Sequence, residues 1–407
     1  MEDPRVVELV LVTPEGALLG SLPPFPVASP WWPEAWPIVQ VARERHGIEV
    51  VVLRILRADR NAPPGGTVTY LAEVPASVTN GALGLRPWPH QLDDHPLRMP
   101  WARPGGPVAD ITWSDARLAE HGIARIGPAE QIRTWNLSSL WRLPIEGGHV
   151  WLKHVPPFLG HEAAIIERLA SASVPALIAA DGPRSLMAEI PGEDMYDAGL
   201  PVLSRALRIL IGLQVDWIGR VEELLAMGLP DWRAPALTTL IADVVDRTSA
   251  ELAADDRATL GEFLTGLADR FKRTAACGIP DTLIHGDFGP GNLRGDDRSL
   301  VLLDWGDSGV GHPLLDQPAM FDRTPTDSIG PLRDEWVAAW EVAVPGSDPR
   351  AAARLLQPVA AARQAVIYRK FLDNIEPSEH PYHRADPATW LAHAAQLVRA
   401  EAAQSTA

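Results

Sequence analysis

His285-Gly286-Asp287-Phe288-Gly289-Pro290-Gly291-Asn292 is the stretch that decides how this chain is read. It follows the apolar run Thr282-Leu283-Ile284 and precedes a second, Leu300-Val301-Leu302-Leu303, which ends in Asp304-Trp305-Gly306. Gly and Pro between Asp287 and Asn292 let the loop turn back on itself, so that a carboxylate and an amide face one space. The later strand then delivers a second carboxylate. Such a layout suits the movement of a phosphoryl group. The first Asp can accept the proton of an attacking hydroxyl. The Asn and the second Asp offer the hard oxygen ligands that suit Mg²⁺ against the phosphates of ATP.

The pattern resembles that of the aminoglycoside phosphotransferase-like kinases, which share the protein-kinase fold and phosphorylate small molecules. Their motif reads His-Gly-Asp, four residues, Asn, then a hydrophobic strand ending in Asp-Trp or Asp-Phe, then Gly-x-Pro-x-x-Asp. Here the last piece is Gly311-His312-Pro313-Leu314-Leu315-Asp316. The resemblance implies that Asp287 is the catalytic base, that Asn292 and Asp304 are Mg²⁺ ligands, and that His285 and Asp316 brace the loop. One departure is Gly289, where many relatives carry His; no chemistry is assigned to that position. The implied fold class is α+β, a bilobal protein-kinase-like fold with a small β-rich lobe and a larger, mostly helical lobe. A small α+β domain precedes it. The expected division is residues 1–125 for the accessory domain, 126–190 for the small lobe and 191–407 for the large lobe.

A chain of 407 residues exceeds one typical domain, and 46% hydrophobic with 22% charged residues is ordinary for a soluble globular protein. No apolar run approaches the ~20 residues that span a bilayer, so no membrane partner is expected. Met1-Glu2-Asp3-Pro4-Arg5 lacks the basic start of a secretory signal, and Cys277 is the single cysteine, which excludes an intrachain disulfide. The expected location is the cytoplasm. A formal charge of −16 with no basic stretch argues against a nucleic-acid partner. The same acidity helps attract a cationic acceptor such as an amino sugar, and it also serves solubility.

Upstream, His149-Val150-Trp151-Leu152-Lys153 is a short strand pattern, entered from the hairpin turn at Glu146-Gly147-Gly148. His161 to Leu169 then places Ala163, Ile166 and Leu169 on one helical face. The resemblance implies that Lys153 contacts the α- and β-phosphates of ATP and pairs with Glu162. It also places Ser138-Ser139 at the phosphate-covering loop, where backbone N–H groups and two hydroxyls replace a Gly-rich loop. Leu186 to Ile190 reads as a strand breaking at Pro191-Gly192, and looks like the family's hinge. Because Pro191 has no N–H, the adenine edge is assigned to the Ala188 carbonyl and the Ile190 amide.

The apolar residues of Pro201 to Met227 recur at helical spacing and form a core face. Further helices are expected over Leu237 to Ala276, broken near Asp255-Asp256, and over Arg333 to Val344, Ala351 to Asn374 and Pro387 to Ala403. Relatives usually bind the acceptor with helices after the metal strand. That yields Asp307, Tyr368, Asp373 and Glu376 as acceptor candidates. His312, His380 and His383 lack metal-ligand spacing.

In the first 120 residues, Val6 to Val12, Val50 to Arg57 and Thr67 to Val74 read as strands and Pro33 to His46 as a helix. The order bears a faint likeness to a Nudix fold. That family's box needs several glutamates on one helix and only Glu44 stands here, so the likeness is to a non-catalytic form. Pro87 to Pro107 reads as a loop, and Trp31-Trp32 and Trp36 as packing residues. Two functions follow. One is an ATP- and Mg²⁺-dependent kinase acting on a hydroxyl of an aminoglycoside, amino sugar, sugar or amino alcohol. The other is a pseudokinase that binds nucleotide or scaffolds without turnover, against which the complete set Lys153, Glu162, Asp287, Asn292 and Asp304 speaks.

Overall fold

The structure, a computed structural model, describes residues 4–78 and 83–406, with side chains to residue 403. It divides into two compact units: Met1–Gly160 with Leu177–Glu189 and Phe371–Arg384, and His161–Ala176 with Ile190–Lys370 and Ala385–Ala407.

The first unit holds two sheets. Strands β1 (Arg5–Val12), β2 (Leu18–Ser21), β3 (Phe25–Val27), β4 (Val51–Ala58) and β5 (Gly66–Glu73) form one, with the path β2-β1-β5-β4 and β3 beside β1. β1 and β5 run parallel, Leu9 opposite Tyr70, and β4 runs antiparallel to β5. The near-continuous apolar run of β1 follows from burial on both faces. Val7, Leu9 and Leu11 join a core with Ile38, Val39 and Ala42 of helix α1 (Trp36–His46), while Val10 and Val12 pack with Leu53 and Leu71. Helix α1 starts with Pro37 in its first turn and stops at Gly47, whose φ of 65° closes the helix in the left-handed region. Trp32 is buried against Tyr382 with its indole N–H on Gly65 O, a packing role; Trp31 is exposed.

The other sheet carries the Lys strand. Its order is β6 (Glu130–Trp135), β7 (Ser138–Ile145), β8 (Gly148–His154), β10 (Arg184–Ala188), β9 (Leu177–Asp181), antiparallel throughout. Trp141, Leu143, Val150, Leu152 and Leu186 face a common core with Leu118. Leu118 belongs to helix α2 (Gly106–Glu120), an element that sequence reasoning missed. The buried face of α2 is Pro107, Asp110, Ser114 and Leu118, helically spaced but half polar. Asp110 is buried because His154 Nδ1 lies 2.8 Å from its carboxylate.

The second unit is mostly helical. It contains α3 (Glu162–Leu169), α4 (Leu200–Asp216), α5 (Val221–Ala226), α6 (Ala234–Thr248), α7 (Ala254–Ala276), α8 (Gln317–Phe321), α9 (Thr326–Ala343), α10 (Pro349–Asn374, its last residues counted with the first unit) and α11 (Asp386–Thr406). The stripe from Pro201 to Met227 is two helices, because the chain turns at Trp217–Arg220 with Gly219 at φ 78°. Helix α9 packs on α4, and α11 on α7. Short strands supply the rest: β11 (Glu193–Asp194), β13 (Leu293–Gly295) and β14 (Leu300–Leu302) in one sheet, and β12 (Thr282–Ile284) with β15 (Gly309–Gly311) in another. These two sheets hold the ends of the loop quoted at the outset.

Candidate active site

Strand β12 is fully buried and hands the chain to His285, which is itself buried. Two backbone donors then fix the loop. His285 N–H and Gly286 N–H donate to the two carboxylate oxygens of Asp316 at 2.9 and 2.8 Å. Gln214 Nε2 donates to the same carboxylate at 2.9 Å, so a fully buried acid is matched by three donors. Burial nevertheless pushes Asp316 above the usual carboxylate range. These hydrogen bonds bring Asp316 against the backbone at His285 and Gly286.

His285 is a neutral strut. Burial lowers its pKa, and its Nε2 lies 2.9 Å from the Leu303 carbonyl, which can only accept. The proton therefore sits on Nε2. That hydrogen bond ties the loop to the strand that delivers Asp304. Gly286 has φ 91°, and a Cβ there would fall 2.0 Å from the Asp307 carbonyl oxygen, so only glycine lets the two segments cross.

Asp287 and Asn292 meet as their spacing suggested. Asn292 Nδ2 donates to Asp287 Oδ2 at 2.8 Å and to its carbonyl at 2.7 Å. The Asn292 carbonyl accepts from Leu303 N–H at 2.8 Å, one residue ahead of Asp304. Asp304 is exposed and sits in the left-handed region at φ 63°, ψ 63°, a conformation kept where surroundings over-determine it. With Nδ2 turned to Asp287, the Asn292 side-chain oxygen is the atom left for a ligand. Among the described residues no group of three or more His, Cys, Asp and Glu is placed to hold a metal. A Mg²⁺ completed by phosphates and water needs fewer protein ligands than that. The donor set of one carboxylate and one amide oxygen fits such an ion.

Of the four acceptor candidates, Asp307 and Tyr368 share the second unit with Asp287, whereas Asp373 and Glu376 belong to the first. Burial, then the carboxylates of Asp287 and Asp304, push Asp307 up to about 7. Burial raises the Tyr368 phenol. Glu376 is buried and committed elsewhere. Arg98 Nη2 lies 2.8 Å from its carboxylate and Arg54 Nε 3.5 Å, so it is no solvated helix end. Asp373 is exposed on its own unit.

Two arginines of this region escaped sequence reasoning. Arg323, just after α8, places Nη2 2.8 Å from Asp287 Oδ1. Arg363, on α10, is wholly buried with its guanidinium nitrogens 3.5 Å from the carbonyls of Gly286 and Asp307 and its head over the Trp232 ring. A signal for Arg363 existed: it is a lone charge in the apolar stretch Ala360 to Val366. Around Asp287, Asp304 and Asp307 there are therefore cations too, and the chain's net charge does not describe the site.

The nucleotide candidates are distributed over both units. Lys153 is half-buried on β8, opposite Leu140 and Ser185. Glu162 is buried in the first turn of α3, in the second unit. The β6–β7 turn is Asn136–Leu137, with Ser138 and Ser139 opening β7. Ser138 Oγ accepts from Trp135 Nε1 at 3.0 Å and the buried Ser139 Oγ from Trp141 Nε1 at 2.9 Å. Ala188 ends β10 in the first unit, Ile190 opens the second, and the Ile190 carbonyl accepts from Arg294 at 2.9 Å.

A family model described as "Phosphotransferase enzyme family" matches residues 141–355, more than half of the chain. No curated protein sequence matches it. Among solved structures it is similar to a choline/ethanolamine kinase family protein from Mesorhizobium loti, with 17% identity over 70% of this chain and 94% of that one, TM-score 0.49. A macrolide 2'-phosphotransferase type I gives 18% over 71% and 97%, TM-score 0.46. A fructosamine-3-kinase homologue from Thermobifida fusca gives 18% over 70% and 98%, TM-score 0.47. The family model leaves the first 140 residues unmatched, and these comparisons give the Nudix likeness no support.

Proposed function

The chain belongs to the phosphotransferase enzyme family of small-molecule kinases, and on that premise we propose that it transfers the γ-phosphoryl group of ATP, with Mg²⁺, to a hydroxyl of a small polar molecule. The observation that carries this reading is the pair of hydrogen bonds from Asn292 to Asp287, on a loop that Asp316 clamps and His285 ties to the Asp304 strand. A carboxylate so fixed is preorganised to receive a hydroxyl proton. Asp287 takes that role, and Asn292 and Asp304 supply the metal ligands. The ion, when bound, would offset charge on the phosphates. Lys153, fixed by Glu162, contacts the α- and β-phosphates, the β6–β7 turn covers them with backbone N–H groups, and Ala188 O and Ile190 N–H meet the adenine edge. The N-terminal 125 residues act as an accessory domain ahead of the kinase lobes, residues 126–190 and 191–407. The pseudokinase reading has no observation in its favour.

The test is ADP release with Mg²⁺-ATP across aminoglycosides, amino sugars, neutral sugars, sugar acids and amino alcohols, with Asp287→Asn as control. Acceptor-dependent release lost in the variant supports the reading. Nucleotide binding without acceptor-dependent release from any class would count against it.

A further inference from the structure

An acceptor hydroxyl must reach a carboxylate oxygen of Asp287, and each of the two already has one partner, which shapes the approach while leaving a lone pair on each oxygen. Asn292 Nδ2 donates to Oδ2 at 2.8 Å. Oδ1 is held by Arg323 Nη2 at 2.8 Å. A hydroxyl that approaches Oδ1 therefore does so beside the Arg323 guanidinium.

The chain makes room for this ion pair. At Gly289 the backbone has φ −176°, extended geometry open to any residue, so conformation does not explain the glycine. Space does. A Cβ at Gly289 would lie 3.3 Å from Arg323 Nη1, 3.4 Å from its Cδ and 3.4 Å from the Ala319 carbonyl. A longer side chain, such as the His that the family motif carries here, would start against Arg323 and press on it. Glycine and arginine read as one device. The Arg323 side chain remains 44% exposed, so its charge faces the solvent side of the site rather than a closed core. A guanidinium at that position has donors left over for an oxyanion on the acceptor.

We propose that Arg323 is the acceptor-specificity residue, and that the acceptor is a hydroxyl compound bearing a carboxylate or phosphate close to the hydroxyl that is phosphorylated. Docking of that oxyanion on the remaining guanidinium donors sets the hydroxyl beside Asp287 Oδ1. The acceptor class is then anionic, opposite to what the chain's overall acidity suggests. This inference rests on the phosphotransfer reading above.

The test pairs like-sized probes: gluconate and glycerate for carboxylates, glucose 6-phosphate for phosphate, glucose and glycerol as neutral counterparts, glucosamine as cation. Calorimetry on the full chain reads binding and ADP release reads turnover, for wild type, Arg323→Ala, Arg323→Lys and Gly289→His. The expectation is at least tenfold tighter binding of one acid than of its neutral counterpart, about 10–100-fold weaker binding of that acid in Arg323→Ala, partial recovery in Arg323→Lys, and a raised KM in Gly289→His. Which acid binds separates carboxylate from phosphate. If no acid binds more tightly than its neutral or cationic counterpart, or if Arg323→Ala weakens all probes alike, the inference falls while the kinase reading stands. Turnover that survives in Asp287→Asn would remove the kinase reading itself.

Discussion

Glu379 is a buried acid whose ionisation the fold resists, and its replacement by Gln should make the protein less sensitive to a rise of pH from about 4.5 to about 8. Its Oε1 accepts from Ile55 N–H at 2.8 Å, and the whole residue is buried. Burial comes first among the causes that push its carboxyl up from 4.5 to about 8, and the Glu376 charge adds to it. Between those values the folded chain holds a proton that the unfolded chain has released. Stability therefore falls as pH rises from about 4.5 to about 8, and this group adds nothing further outside that window. At about 1.4 kcal/mol per unit the whole interval corresponds to about 5 kcal/mol. Water entry and relaxation around the forming charge reduce it, so about 2 kcal/mol is expected. Gln keeps the Ile55 hydrogen bond and cannot ionise. Urea melts at pH 5 and pH 8, with m-values checked for constancy, should show the variant gaining about 2 kcal/mol over wild type at pH 8 relative to its difference at pH 5. Parallel losses in both proteins would refute the buried-acid argument.

Other perturbations test other levels. Leu118→Ala, which empties the contact of α2 with the five-stranded sheet, should cost about 2–5 kcal/mol in a denaturant melt. Gly286→Ala meets both a left-handed φ and a carbonyl at 2.0 Å, and should lose at least about 2 kcal/mol of stability together with turnover. Asp304→Ala should weaken nucleotide binding in the presence of Mg²⁺ far more than in EDTA, read by calorimetry under both conditions; equal affinities in the two proteins would remove Asp304 from the metal's ligands. Asp316→Asn replaces a charged acceptor of three hydrogen bonds with a neutral amide, and should lower turnover more than nucleotide affinity.

The parts of the molecule legible in the sequence are those whose signal is local. The catalytic loop, the hairpin into the Lys strand, and the helices at Glu162, Leu200 and Pro349 carry their turn residues and periodicity within a few positions. Helix α2 stayed hidden because Asp110 and Ser114 occupy its buried face, and the partner that lets Asp110 be buried, His154, lies 44 residues away. Glu376 read as an acceptor candidate for the same reason: its partner Arg98 is 278 residues distant. Arg323 on Asp287 is likewise a meeting that only the fold arranges. Gly289 was visible as a departure, but its meaning depends on the side chain it leaves room for. Compactness also departs from chain order, since residues 371–384 belong with the first unit.

The measurement that bears most directly on the central claim compares wild type and Asp287→Asn for Mg²⁺-ATP affinity and for the rate of phosphoryl transfer to the best acceptor found. The account predicts a rate about 10²–10⁴-fold lower with affinity changed by less than about threefold, because the carboxylate receives the hydroxyl proton and holds no nucleotide. A variant that turns over at the wild-type rate, or that loses ATP binding in proportion to its rate, would contradict it.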